Sequence, residues 1–469
     1  MSTTATSPTV RHDVRGVPVT TSDRAGVELL ERAIIGMLGH RADTGLSLQA
    51  ALAHDPLLVP ALCMQGFAYK CLGRRDFASS AWASLHAARS AVATRGASER
   101  ERGLARALEC WCLDQPLAAS EALSQVLASH PRDVLAFKMH HALNFILGRS
   151  HAMLEASTRA SSALDPQHPG YGYVLGCHAF ALEETGSLRE AEACGRHAIE
   201  SEPLDAWGAH AVAHVLETED RPREGVTFMD AVEAPLLGCN NFAGHLAWHR
   251  GLFLLQLGEF EQALELYDTR IAVHLGRDYR DVCNASTLLV RLQQEGCAVG
   301  DRWERLSELA RERMGDHGLG FADAHYVLSL AGSGDTATAA RYVESMRGNL
   351  PPGYYGNVTE QIGVPLSQGI VALFQQRPTA ALQALLPLRR SLLRLGGSNA
   401  QRDIFAVLLI EAALAADRPH LAHSLLNERL RQRPNNRWAL SRCERLSARP
   451  REPRVSHSLP SSTTARVAA

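Results

Sequence analysis

The sequence predicts an all-α solenoid, about ten tandem helical hairpins stacked side by side. Three observations predict it: turn motifs recur at a near-constant spacing, helix formers dominate, and no strand signal competes. The turns read LGRRDF (72–77), LDQPLA (113–118), LGRSHA (147–152), TGSLRE (185–190), EDRPRE (219–224), LGEFEQ (257–262), EGCAVG (295–300), SGDTAT (333–338), QQRPTA (375–380) and ADRPHL (416–421). Anchored on the Gly or its equivalent, they fall near 73, 114, 148, 186, 220, 258, 296, 334, 377 and 417, so successive gaps run from about 34 to 43 residues. A period in that range marks stacked supersecondary units. One hairpin cannot bury its own apolar face, and the neighbours on either side do it instead.

Composition agrees. Ala, Leu and Arg are abundant, and β-branched runs bounded by turn dipeptides are missing. Pro follows several second helices, in SHPRD (129–133), LDPQHP (164–169), SEPLD (201–205) and QRPNN (432–436), where it stops one helix and pre-sets entry to the next. Asp133, Asp205 and Asn241 stand where N-caps belong. The run ASERERGLAR (97–106) reads as a charged helix start on a solvated face. At 469 residues the chain exceeds one compact core, which a repeat array accommodates.

Several function classes are set aside. Net charge is −2, so the basic footprint of a nucleic-acid binder is missing. No apolar run approaches the ~18 residues of a membrane span. The first 21 residues lack the apolar core of a signal peptide. Ten scattered cysteines without a CxxC pair fit a reducing, cytoplasmic setting. Residues 1–22 and 449–469, rich in Ser, Thr and Pro, read as disordered tails around a solenoid of 23–448. Phosphate-loop, GxSxG and kinase signatures are all missing.

Particular segments carry a resemblance. LGEFEQALELYD (257–268) looks like a tetratricopeptide turn and second helix, and EETGSLREAEACGRHAIESEP (183–203) has the small residues and closing Pro in register. HAVAHVLE (210–217), NNFAGHLAWHRGLFLLQLGEFEQALELYD (240–268), FADAH (321–325) and GGSNAQRDIF (396–405) resemble the tetratricopeptide repeat protein 38 family. The resemblance implies a right-handed solenoid and brings little biochemistry with it.

Chemistry concentrates in one place. His210 and His214 are four apart on one helix and point the same way, with Glu217 continuing the stripe. His245 and His249 repeat the spacing on the next hairpin, both 35 residues on, which is close to one repeat. Four imidazoles and a carboxylate are therefore expected on one patch of the concave groove, bordered by Trp207 and Trp248. Such a set suits a divalent transition metal. It equally suits a groove for a peptide, protein segment or small molecule, or a structural polar network. Asp323 and His325 join the patch only if the superhelix curves tightly. His178, His140 and His141 extend a histidine track along the same side. Arg402, beside Asp403 at a helix start, is a second ligand candidate, read more readily as part of a capping and salt-bridge cluster that fixes the last hairpins together. The expected function is a scaffold holding a ligand or partner in its groove, or alternatively a metal-dependent or histidine-based enzyme acting on a small molecule.

Overall fold

The computed structural model describes residues 9–276 and 278–448. Its helices pair in sequence as antiparallel neighbours: α1 (Arg24–Leu38) with α2 (Thr44–His54), α3 (Val59–Cys71) with α4 (Ala78–Arg95), α5 (Glu99–Cys112) with α6 (Pro116–Ser129), and α7 (Val134–Ile146) with α8 (Ser150–Ala163). The middle of the array comprises α9 (Tyr171–Glu184) with α10 (Leu188–Ser201), α11 (Ala206–Thr218) with α12 (Pro222–Glu233), α13 (Phe242–Leu257) with α14 (Phe260–Leu266), and α15 (Tyr279–Gln294) with α16 (Trp303–Glu312). Then come α17 (Gly320–Gly332) with α18 (Thr336–Gly348), a short α19 (Gly353–Val358), α20 (Val364–Phe374) with α21 (Pro378–Leu385), and α22 (Asn399–Ala415) with α23 (Pro419–Gln432). Helix α24 (Arg437–Ser447) closes the described residues.

The predicted turns reverse the chain through left-handed backbone. Gly73, Gly148, Gly186, Gly258, Gly296 and Gly334 all have positive φ, as do Asp114, Asp220 and Asp417. At the remaining turn the left-handed residue is Gln376, one before the anchor chosen from sequence. A left-handed residue just past a helix lets its N–H and the next one return to the last carbonyls, which ends the helix and turns the chain. Glycine adopts that geometry freely, and Asp is among the few others that tolerate it. The pairing gives eleven hairpins among the described residues, not ten. The extra one, α1 with α2, turns at His40 (φ 52°), a residue type without a turn signature.

The N-terminal segment corrects an expectation. Residues 9–22 are not a tail: Val10–His12 pairs antiparallel with Pro18–Thr20. Composition undercounted what this hairpin could bury. Val17 and Val19 are buried, and the fully covered Arg15 pairs with Asp13 and Glu31. Thr20 donates through N and Oγ1 to Glu101 at 2.7 and 2.6 Å. Glu101 and Arg100 are therefore buried rather than on a solvated face, with Arg100 paired to Asp133 at 2.6 Å. The expected tails at 1–8 and 449–469 lie outside the described residues.

The superhelix curls far enough for its end to meet its middle. Helix α22 packs against α11 and α15, and α24 packs against α13. Trp111 of α5 donates to the hydroxyl of Tyr355 on α19 at 2.9 Å. At α11 there is consequently no open groove, and every residue from Ala206 to Leu216 is buried. No described helix is long and apolar enough to cross a membrane.

Candidate metal centre

Helix α11 is built to be buried all round. Asp205 caps its start by accepting from Trp207 N at 3.1 Å. Four alanines, at 206, 209, 211 and 213, keep it slim enough for neighbours on every side. In that setting His210 and His214 project one turn apart, with ring centroids separated by 4.3 Å. Helix α13 presents His245 and His249 in the same way, at 4.9 Å.

The four rings converge. Nε2 of His210 lies 2.9 Å from Nε2 of His214 and 2.9 Å from Nε2 of His245. His249 completes the set, its ring centroid 4.6 Å from that of His214 and 5.0 Å from that of His210. One ring nitrogen from each of the four falls within 4.8 Å of the others.

One outward nitrogen, that of His245, has a hydrogen-bond acceptor, and those of His214 and His249 face carboxylates without forming a hydrogen bond. His245 Nδ1 lies 2.8 Å from Asn284 Oδ1 on α15. His214 Nδ1 lies 3.2 Å from Glu183 on α9, and His249 Nδ1 lies 3.4 Å from Glu217 on α11. At His245 the acceptor keeps the proton on Nδ1 and leaves the Nε2 lone pair free, and a carboxylate near Nδ1 favours the same tautomer at His214 and His249. His210 Nε2 then stands 2.9 Å from two such nitrogens, and a single N–H or lone pair there cannot satisfy both fully. Nitrogens bound ~2.0–2.1 Å from one metal ion stand about 2.9–3.4 Å apart. The donor set therefore fits a transition-metal ion.

Electrostatics point the same way. Burial first, and then the other imidazoles, push His210 and His245 well below the ordinary histidine range. Burial likewise lowers His214, and brings His249 down to about 4 despite the raising influence of Glu217. All four are neutral at physiological pH. Burial alone would raise Glu217, but Arg433 on the α23–α24 connection, at 3.1 Å, and His249 hold its carboxyl at about 2. Glu183 is raised to about 7 by burial and by the nearby Glu217. It can therefore take up or release the proton of a bound group near neutral pH.

The sequence-predicted residues divide cleanly. His210, His214, Glu217, His245 and His249 come together. Trp248 borders them, its ring 4.8 Å from that of His249 and its Nε1 donating to Thr287 at 3.1 Å. Asp323 and His325 do not join. Asp323 instead holds His317 at 3.0 Å and Tyr342 at 2.9 Å, while His325 Nδ1 meets its own helix at Phe321 O, 2.8 Å away. His140 and His178 turn toward second helices, to Ser124 at 3.1 Å and Ser157 at 3.0 Å. Arg402 lies at the edge. It is held by the carbonyls of Gly396 and Gly397 and pairs with Glu184 at 3.3 Å, beside Glu183 and His214.

Sequence reasoning missed Glu183, Asn284 and Arg433. The repeat step contained a signal for two of them. Thr218 contacts Glu183 at a separation of 35 residues, and His245 meets Asn284 at 39, close to the local 38-residue turn spacing. Arg433, 216 positions from Glu217, carried no such signal.

Two cavities flank the centre. One of about 100 Å³ reaches His210 and His245. The other, about 70 Å³, reaches Glu217 and Arg433.

No protein-family model matches the chain. Among solved structures, the chain is similar to one in the APC/C hetero-tetramer Cut9–Hcn1, at 16% identity and TM-score 0.45, over 86% of this chain and 72% of that one. Yeast Tom70 matches at 14% identity and TM-score 0.37, over 90% and 88% of the two chains. A human IFIT1 dimer with PPP-AAAA matches at 13% identity and TM-score 0.42, over 92% and 96%. At these identities the likeness concerns the fold, a helical-repeat solenoid.

Proposed function

We propose that this protein is a metal-dependent centre housed in a tetratricopeptide-like solenoid, with a small molecule bound beside the metal. One observation carries the reading: one ring nitrogen from each of four buried imidazoles lies within 4.8 Å of the others, and several of the remaining ring nitrogens are buried without a hydrogen-bond partner among the described residues. A structural polar network would pair each donor with an acceptor. Here both ring nitrogens of His249 and the Nδ1 atoms of His210 and His214 are buried with no hydrogen-bond partner among the described residues.

A bound divalent ion would act as a Lewis acid or lower the pKa of a coordinated water. The chain's own groups supply the rest. Glu217, fixed by Arg433, orients His249, and Glu183 orients His214 and is placed to move a proton. The apolar walls around them exclude bulk water. Resemblance to the tetratricopeptide repeat protein 38 family belongs to this reading and rests on the motif residues 210–217, 240–268, 321–325 and 396–405. Ten free cysteines support a reducing, cytoplasmic setting. A peptide laid along the concave face is not favoured at this site, because α22 and α24 already cover it.

Elemental analysis of protein purified without chelators tests the proposal. Near-stoichiometric transition metal in wild type, lost in His214→Ala and His249→Ala, is expected. A metal-free wild type that also fails to take up Zn²⁺, Fe²⁺ or Cu²⁺ on titration contradicts it.

A further inference from the structure

The 100 Å³ cavity beside His210 and His245 has a chemical character of its own. Its walls are aromatic, from Trp207, Phe242 and Phe145, and its charged members are Lys138, Arg280 and Asp281. The rim residues His40, Asn240 and Arg280 are only half-buried, so a ligand has a way in.

Lys138 stands out. It is 7% exposed, yet no carboxylate lies within 4.0 Å of its ammonium among the described residues. Its neighbours are the His40 ring nitrogen at 3.4 Å, the Cys177 thiol at 3.7 Å and the face of Trp207 at 4.6 Å. A buried ammonium without a counter-ion is costly, and an anionic ligand removes that cost. Two more buried groups on the same wall lack partners: both ring nitrogens of His141 and Nε1 of Trp207.

The other titratable groups facing this cavity do not cancel its positive charge. Arg280 is engaged by Asp278. Asp281 accepts from Asn241 at 3.0 Å, and burial together with Asp278 raises its carboxyl well above the ordinary range. His40 and His141 are neutral, lowered first by burial and then by Lys138. Asp205, also near Lys138, is raised to about 7 by burial.

We infer that this cavity binds a small organic monoanion, a short-chain carboxylate whose charged group pairs with Lys138 and whose other end reaches the histidine centre. Size agrees. A 150 Å³ apolar cavity holds benzene, so ~100 Å³ takes roughly four non-hydrogen atoms, close to the size of acetate or propionate. The inference takes its functional meaning from the metal-centre reading, but its binding chemistry rests on Lys138 and the cavity walls alone.

Calorimetric titration of the full chain with propionate and with its neutral isostere propionamide tests this. The titration is run on metal-free and Zn²⁺-loaded protein, and on Lys138→Met. Propionate is expected to bind wild type in both forms, at least tenfold tighter than propionamide. Lys138→Met should lose at least tenfold in propionate affinity with its metal content unchanged. Equal binding of acid and amide overturns the inference, as does failure of propionate to bind wild type or full affinity in a folded Lys138→Met. If that variant does not fold, the acid–amide comparison in wild type decides. Selective propionate binding by a protein that takes up no metal would sustain the anion site while removing the metal centre. Metal uptake without propionate binding would do the reverse.

Discussion

Two places in the array bury histidine and carboxylate on first helices, and they do opposite things with them. On α17, each residue is bonded close by: His325 Nδ1 by a carbonyl one turn back, and one Asp323 oxygen by His317 and Tyr342 of its own hairpin and the loop before it, while His325 Nε2 and the other Asp323 oxygen stay apart from one another, without a partner among the described residues. On α11 and α13, the polar atoms look outward across helices and several find no partner. Polar groups bonded within one hairpin fasten it. Polar groups left facing one another are poised for a ligand. Residue type alone does not separate the cases; the direction of the lone pairs does.

The largest expected effect breaks this comparison at its strong side. His249→Phe should abolish metal binding, at least a hundredfold in a competitive chelator titration. His325→Phe should leave metal affinity within about twofold. Equal losses in both would remove the distinction between the two regions.

A second test addresses the outer carboxylate. Glu217→Gln deprives Arg433 of its counter-charge and His249 of the carboxylate facing its Nδ1. Losing such a carboxylate weakens metal affinity by about 10–100-fold. Breaking a buried ion pair destabilises by ~3–5 kcal/mol, and this pair, slightly exposed at 10% and 14%, belongs near the lower end. Chelator competition and urea unfolding read the two effects separately.

Acid should expose the imidazoles next. In the metal-free protein their folded pKa values lie below the unfolded value of ~6.5, with His249 at about 4. Below pH 6.5 the unfolded chain takes up protons that the folded chain refuses, so stability falls as pH drops toward 4. Bound metal opposes this loss until protons displace it. The Glu217–Arg433 pair contributes in the same direction, but only below the ordinary Glu pKa and down to about 2. Thermal unfolding of metal-free and metal-loaded protein between pH 7 and 4 should therefore diverge. Parallel curves would count against the site.

The smallest effect belongs to the local cluster. Asp323→Asn removes a charged acceptor from His317 and Tyr342 and should cost about 1–3 kcal/mol. Metal content should not change. A loss of metal there would mean that α17 communicates with the centre.

Much of this was legible in the sequence, for a physical reason. A helical hairpin must reverse at a left-handed residue, so Gly and Asp punctuated the repeats visibly. The equal 35-residue offsets placed four histidines together because neighbouring first helices run side by side. What stayed hidden depends on accumulated geometry. The curl that brings Arg433 to Glu217 and α22 to α11 sums small rotations over many hairpins, and no single repeat encodes it. The N-terminal hairpin was hidden differently. Its polar residues looked unsuited to burial until Glu31 and Glu101 supplied partners from elsewhere in the chain.

X-ray absorption at the edge of the bound metal tests the centre most directly. Three or four imidazole nitrogens at ~2.0–2.1 Å, with multiple scattering from the rings and no sulfur, are the predicted shell. His214→Ala should lose that signal. A sulfur-containing shell, or a shell unchanged in His214→Ala, would contradict a metal centre at His210, His214, His245 and His249.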